Sequence, residues 1–204
     1  MRKLVMLGSL IALLVPTASH AQFQLGLRLG FAPAAGDAAK DEPLKDVISS
    51  QIPIQLDAMY KITPDLSAGL YFSYGIVQLS SDEKDACDAF GVSCSASNTR
   101  LGIQAAYAFN QVSPQFVPWA GVGLGYEWLT EKIALGGVSA SQTATGFEFL
   151  NLQVGGDYKV NPKFAVGPYA QLSIGQYSEV ESESITDKGV HEWFGFGVRG
   201  KFDL

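Results

Sequence analysis

The chain has 204 residues, 47% of them hydrophobic, with 14 Lys and Arg against 20 Asp and Glu for a formal charge of −6. That length fits one domain, and an acidic chain lacks the positive charge that neutralising phosphates requires, which argues against a nucleic-acid binder. Beyond its N-terminal region no apolar run approaches the roughly 20 residues a membrane-spanning helix needs.

At the N-terminus, Arg2-Lys3 precedes an apolar run from Leu4 to Val15, followed by Ser19-His20-Ala21. A basic region, a hydrophobic region and a small-residue cleavage site make a secretory signal, so residues 1–21 are expected to be a cleaved signal peptide and 22–204 the mature domain. Loss of Arg2 and Lys3 takes the formal charge to −8, twelve cations against twenty carboxylates.

From there the chain alternates apolar and polar residues with a period of two, the mark of strands with one greasy face. Phe23, Leu25, Leu27, Leu29 and Phe31 come first, set against Gln24, Gly26, Arg28 and Gly30. Ile52 to Ile62, Leu66 to Ile76 and Leu101 to Phe109 repeat the pattern, placing Gln55, Asp57, Tyr71, Ser73 and Arg100 on the polar side. A fifth segment opposes Ala120, Val122, Leu124, Tyr126 and Trp128 to Gly121, Gly123, Gly125 and Glu127. In the sixth, Leu150, Leu152, Val154 and Tyr158 oppose Asn151, Gln153, Asp157 and Lys159, and the adjacent Phe149 and Leu150 suggest a bulge. The seventh sets Phe164, Val166, Ala170, Leu172 and Ile174 against Tyr169, Gln171 and Ser173. The last opposes Phe194, Phe196, Val198, Phe202 and Leu204 to Gly195, Gly197, Arg199, Lys201 and Asp203, for a total of eight. On a helix this spacing would leave no apolar stripe.

Connections alternate in length. Thr63-Pro64-Asp65, the stretch from Gln111 to Gln115 and Asn161-Pro162-Lys163 are short and rich in turn residues, whereas 32–50, 79–97, 131–145 and 179–190 are long and polar. Short turns on one rim and long loops on the other fit an outer-membrane barrel with its long loops outside the cell. Cys87 and Cys94 share one such loop, and in an oxidising compartment a local disulfide is expected. The neighbouring Asp82, Glu83, Asp85 and Asp88 read as a solvated face.

Size decides which face points outward. The bore of eight strands is just wide enough for side chains to fill, so several bulky apolar groups per strand would not fit there, while glycines, serines and scattered charges would. The apolar face is therefore expected against lipid. Tyr74, Trp128, Phe147 and Phe194 near the loop ends, with Phe23, Tyr60, Tyr107, Phe109, Tyr158, Phe164 and Phe202 near the turn ends, form the expected aromatic girdles.

With its signal segment, its Trp119-Ala120-Gly121-Val122-Gly123-Leu124-Gly125-Tyr126-Glu127-Trp128 strand and its aromatic C-terminal strand, the mature chain resembles the small eight-stranded outer-membrane barrels of Gram-negative bacteria, the OmpX, OmpW and OmpA-transmembrane-domain group. The resemblance implies an all-β, antiparallel, up-and-down transmembrane barrel: a monomer in contact with outer-membrane lipid and lipopolysaccharide, without cofactor or metal. It also implies that Phe202 and Leu204 serve as the signal read by the barrel-assembly machinery, with Leu204 where Phe is usual. No peptidoglycan-binding domain is expected after Leu204.

The chemistry expected inside is electrostatic. Arg28, Asp57, Arg100, Glu127, Asp157, Lys159, Arg199 and Lys201 all fall on the inward face, where unpaired charges are costly, so a paired network filling the lumen is expected. A charged constriction in a small pore is the alternative. Gly121-Val122-Gly123-Leu124-Gly125 has neither the spacing nor the following helix of a dinucleotide loop, and its glycines read as room for larger groups opposite. Lipid A deacylases of this shape use His, Ser and an acid near the outer rim. Here the mature chain has only His191, read as a polar edge residue, with Glu192 on the opposite face and Ser182 and Ser184 in a loop. The expected role is structural or surface-interacting through long acidic loops; a narrow route for small or hydrophobic solutes, as in OmpW-like proteins, is the second reading.

Overall fold

A computed structural model describes residues 22–204; the expected signal peptide at 1–21 lies outside the described residues. Eight long strands follow one another: β1 Phe23–Ala39, β2 Ile48–Lys61, β3 Leu66–Leu79, β4 Ser93–Ala108, β5 Phe116–Leu135, β6 Val138–Lys159, β7 Phe164–Val180 and β8 His191–Asp203. Two helices sit at the loop rim, α1 Leu44–Val47 and α2 Ser81–Ala89. Two-residue strands at Glu42–Pro43 and Glu183–Ser184 extend the edges of β1 and β7.

Each strand pairs antiparallel with the next, and β8 pairs with β1 from Gln24 opposite Asp203 to Gly36 opposite His191, so the sheet closes without a free edge. Closure matters in lipid, where an unpaired backbone amide has no water to turn to. No helix among the described residues is long and apolar enough to cross a membrane; crossing falls to the strands.

Burial is inverted relative to a soluble protein. On β1, Leu27 and Leu29 are 53% and 56% exposed while Arg28 between them is 2% exposed. The apolar face of β1 runs from Phe23 to Phe31, about 26 Å along the strand at 3.3 Å per residue, and at a tilt near 40° it covers roughly 20 Å of membrane thickness, close to the height of an outer-membrane apolar band. Aromatic pairs edge this band: Phe23–Tyr60 and Tyr107–Phe109 at the turn rim, Phe31–Phe196 and Tyr126–Trp128 toward the loop rim, all edge to face.

The bulge expected at Phe149-Leu150 is present. The ladder between β6 and β7 shifts between Glu148 and Leu150, and that between β5 and β6 shifts between Gly123 and Gly125.

The long connections differ from the expected open loops. Strand β5 continues to Leu135 and returns as β6 through Gly136 and Gly137, whose φ values of 57° and 88° make a two-residue hairpin turn. The segment 131–145 is therefore ladder rather than coil, because Thr130, Lys132 and Ile133 sustain pairing with Thr143, Ser141 and Ala140 beyond the apolar band. Within 79–97, Ser80 caps α2 by accepting the Glu83 amide at 3.2 Å, and Asp82 and Glu83 complement the helix N-terminus. A Cys87–Cys94 disulfide ties the end of α2 to β4. At this rim Leu44, Ile48, Leu79 and Leu129 pack with Tyr177 and Trp193 into an apolar cluster that covers the bore.

Candidate functional site: a bore filled by buried charge

Neighbouring strands run in opposite directions, so residues distant in sequence meet inside the cylinder at the same height. Four layers result, from turn rim to loop rim.

Lowest is Asp157. Its carboxylate accepts the Trp119 indole N–H at 3.1 Å and faces Arg199 Nη2 at 3.5 Å and Lys201 Nζ at 3.4 Å. The Arg199 guanidinium lies 4.1 Å from the Trp119 ring centre, a cation–π contact. At the very edge Lys61 meets Asp203 at 3.2 Å, and Gln24 donates to the same carboxylate. These groups surround a cavity of about 280 Å³ open at the turn rim.

Above it, Arg28 Nε donates to Asp57 Oδ2 at 2.7 Å and Arg28 Nη1 to Gln153 Oε1 at 2.8 Å. Gln55 and Gln104 each donate to Asp57 Oδ1, and Gln153 donates to Gln104 and Asn151. Both oxygens of the Asp57 carboxylate are thus engaged, Oδ2 by Arg28 and Oδ1 by two amides, which is what makes a buried ion pair tolerable.

The third layer centres on Glu148. Arg100 Nη1 approaches its Oε1 at 3.1 Å, Asn151 donates at 2.9 Å, and the hydroxyls of Tyr71 and Ser173 also donate to it. In the fourth, Glu127 Oε1 accepts from Asn98 at 2.8 Å, Tyr177 at 3.0 Å and the Trp193 indole at 3.0 Å, while His191 Nε2 lies 3.1 Å from Oε2. The His191 ring stacks on Tyr177 with centroids 4.1 Å apart.

Of the inward charges read from the sequence, seven lie in these layers: Arg28, Asp57, Arg100, Glu127, Asp157, Arg199 and Lys201. Lys159 does not. It shares the inward phase of Asp157 but sits one step further toward the turn end, exposed at the mouth of the lower cavity and in no ion pair among the described residues. His191 also differs from the edge residue expected: at 1% exposure it is fully inside, and Ser182 and Ser184 are exposed in the connection above.

Glu148 is not marked by the alternation of its strand, although Phe147 and Phe149 flank it and both face lipid. Counting phase only from Leu150 onward hides it, because the bulge resets the alternation. Of the aromatic rings inside the bore, Tyr71 and Tyr169 follow the inward phase of their strands, whereas Trp119, Tyr177 and Trp193 are not marked by it. Tyr71, Trp119 and Tyr169 fit there because glycines on neighbouring strands leave them room. A Cβ on Gly155 would lie 2.6 Å from a Trp119 ring carbon, and one on Gly102 would run into the Tyr71 ring.

The sequence model of the outer membrane protein beta-barrel domain matches residues 4–202. Curated proteins include none that matches the chain. Among solved structures, Neisserial surface protein A superposes with a TM-score of 0.55 at 18% identity, over 89% of this chain and 97% of that one. A major outer membrane protein from Thermus thermophilus gives 0.53 at 12% identity, over 88% and 99%. At such identities these likenesses speak for the fold. Closed ladder, lipid-facing apolar band, charge-filled bore and family match converge: the chain belongs to the outer membrane protein β-barrel domain family, whose setting is the bacterial outer membrane.

Proposed function

We propose that this chain is a closed, monomeric outer-membrane barrel with a structural or surface-interaction role, exercised at its acidic loop rim rather than by passing solutes. The observation carrying this reading is the unbroken stack from Asp57 to Glu127: every carboxylate in it is at most 4% exposed and held by several donors. Opening a path would break several charge-assisted bonds at once and leave buried charges unpaired. The apolar cluster of Leu44, Ile48, Leu79 and Leu129 adds a second barrier above it.

The same reading puts lipid and lipopolysaccharide against the apolar band. It assigns Phe202 and Leu204 to recognition by the barrel-assembly machinery: Phe202 faces lipid beside Leu25 and Phe164, and the Leu204 amide donates to Phe23 O at 2.9 Å where the cylinder closes. A catalytic role finds little support, since His191 is enclosed by Glu127 and Tyr177 away from the exposed serines.

The test is conductance. Purified protein in planar bilayers is expected to show no steady nanosiemens-scale channels, and liposomes containing it no swelling in small sugars. Steady large channels would overturn the closed reading.

A further inference from the structure

The loop rim holds a second cavity, of about 220 Å³, above the Glu127 layer. Its walls are Leu44 and Val47 of α1, Leu129 of β5, Ala144 of β6, Val180 of β7 and Ile185. Tyr177, whose hydroxyl donates to Glu127, is also part of its lining. Cavities that enclose whole drug-sized ligands run from about 300 Å³ upward; this one suits a single branched aliphatic side chain or one aromatic ring.

Its charged lining has one sign. Glu42 and Glu131 stand at the edge with Gln142, and among the described residues no Lys or Arg lines it. Glu131 and Gln142 are cross-strand partners, one step above the Leu129–Ala144 pair, so the carboxylate sits directly over the apolar wall. Among the described residues the Glu131 carboxylate has no ion pair or hydrogen bond, and burial together with nearby Glu83 pushes it above the ordinary range. The surroundings share that sign. Segments 37–47, 80–92, 131–142 and 179–190 carry thirteen carboxylates and five lysines, whereas the rest of residues 22–204 balances at seven each. The whole excess of negative charge in residues 22–204 therefore lies in the loop-side segments, at the rim that holds this opening.

We propose that this cavity is the anchor point for a cationic polypeptide: one apolar side chain of the partner enters between Leu129 and Ile185 while basic residues flanking it meet Glu42 and Glu131. The inference rests on the surface-interaction reading and names its partner chemistry. A buried apolar anchor ringed by charges is how a small site obtains both affinity and selectivity. The carboxylates gain the counter-charge the free protein denies them, and the attraction is screened by salt.

The experiment uses the full mature chain in phosphatidylcholine nanodiscs and a fluorescent pentapeptide with phenylalanine between paired lysines, read by anisotropy. Binding is expected to be saturable and to weaken with salt. It should fall at least ten-fold when alanine replaces the phenylalanine, in the E42Q/E131Q double variant, and in A144L, which fills the cavity. Heat-modifiable gel mobility checks that each variant is folded; should A144L not fold, E42Q/E131Q and the alanine peptide still decide. Equal binding of the two peptides would mean diffuse attraction to the acidic rim and would overturn the proposal, as would unchanged binding by the double variant or no binding up to millimolar peptide. Bilayer conductance tests the closed bore independently, so either idea can fail alone.

Discussion

Arg100 on β4 and Glu148 on β6 meet at 3.1 Å in the middle of the bore, reaching over β5, on which Glu148 stands opposite Gly125 and Arg100 opposite Glu127. Any side chain at Gly125 would crowd the Tyr71 hydroxyl and the Glu148 carboxylate. Charge pair and glycine thus form one arrangement, in which a residue without bulk lets two strands share a bond over a third.

Breaking that pair from one side should cost more than removing both charges. Arg100→Met leaves Glu148 buried with only neutral donors, for which a loss of about 3–5 kcal/mol is expected. Adding Glu148→Gln should restore part of it, so that the double variant lies well below the sum of the singles. Urea titrations of protein refolded in phospholipid vesicles, followed by gel mobility, measure both; additive losses would mean the two groups do not interact.

A charge placed on the apolar face should be penalised by depth. Leu27→Arg puts a guanidinium near mid-bilayer and is expected to cost about 2–4 kcal/mol, whereas Phe23→Arg at the turn rim should cost about 0–1 kcal/mol. The same vesicle titration reads both. Equal costs at the two depths would place this face outside hydrocarbon.

The room made for Trp119 can be taken away. Gly155→Val brings side-chain carbons against the indole and the Pro168 carbonyl, and overpacking of this kind costs about 1–3 kcal/mol. Trp119→Phe in the same chain should recover part of the loss, since a smaller ring yields space while the backbone contact stays. No recovery would show that the backbone alone is at fault.

Glu131 lies above the loop-side aromatic girdle, outside the lipid, and its carboxyl is raised by burial and by Glu83. A carboxyl whose folded value exceeds its unfolded value favours the folded state most when protonated. That benefit is complete below the ordinary carboxylate range and is lost as pH rises through the raised folded value. Glu131→Gln should therefore raise the urea midpoint at pH 7 and leave it unchanged near pH 3. A lowered midpoint at pH 7 would mean the carboxylate has a stabilising partner. Taken with the expected loss of peptide binding in E42Q/E131Q, a gain in stability would mark a site strained for recognition.

The strands, their number, the lipid-facing side and most of the inward charges are legible in the order of residues, because each depends only on local alternation. Leu27, Arg28 and Leu29 declare their faces whatever they pair with. The bulge at Phe149-Leu150 is marked the same way, where two apolar neighbours break the period. Partnership lies beyond such local reading. That Glu127 holds His191 and Trp193, 64 and 66 residues away, follows from closing the cylinder between β8 and β1, which sets heights that no local pattern encodes. Lys159 stays out of the network for the same reason: its phase is right but its height is at the mouth, and only closed strands at a fixed stagger convert position along a chain into depth within a bore.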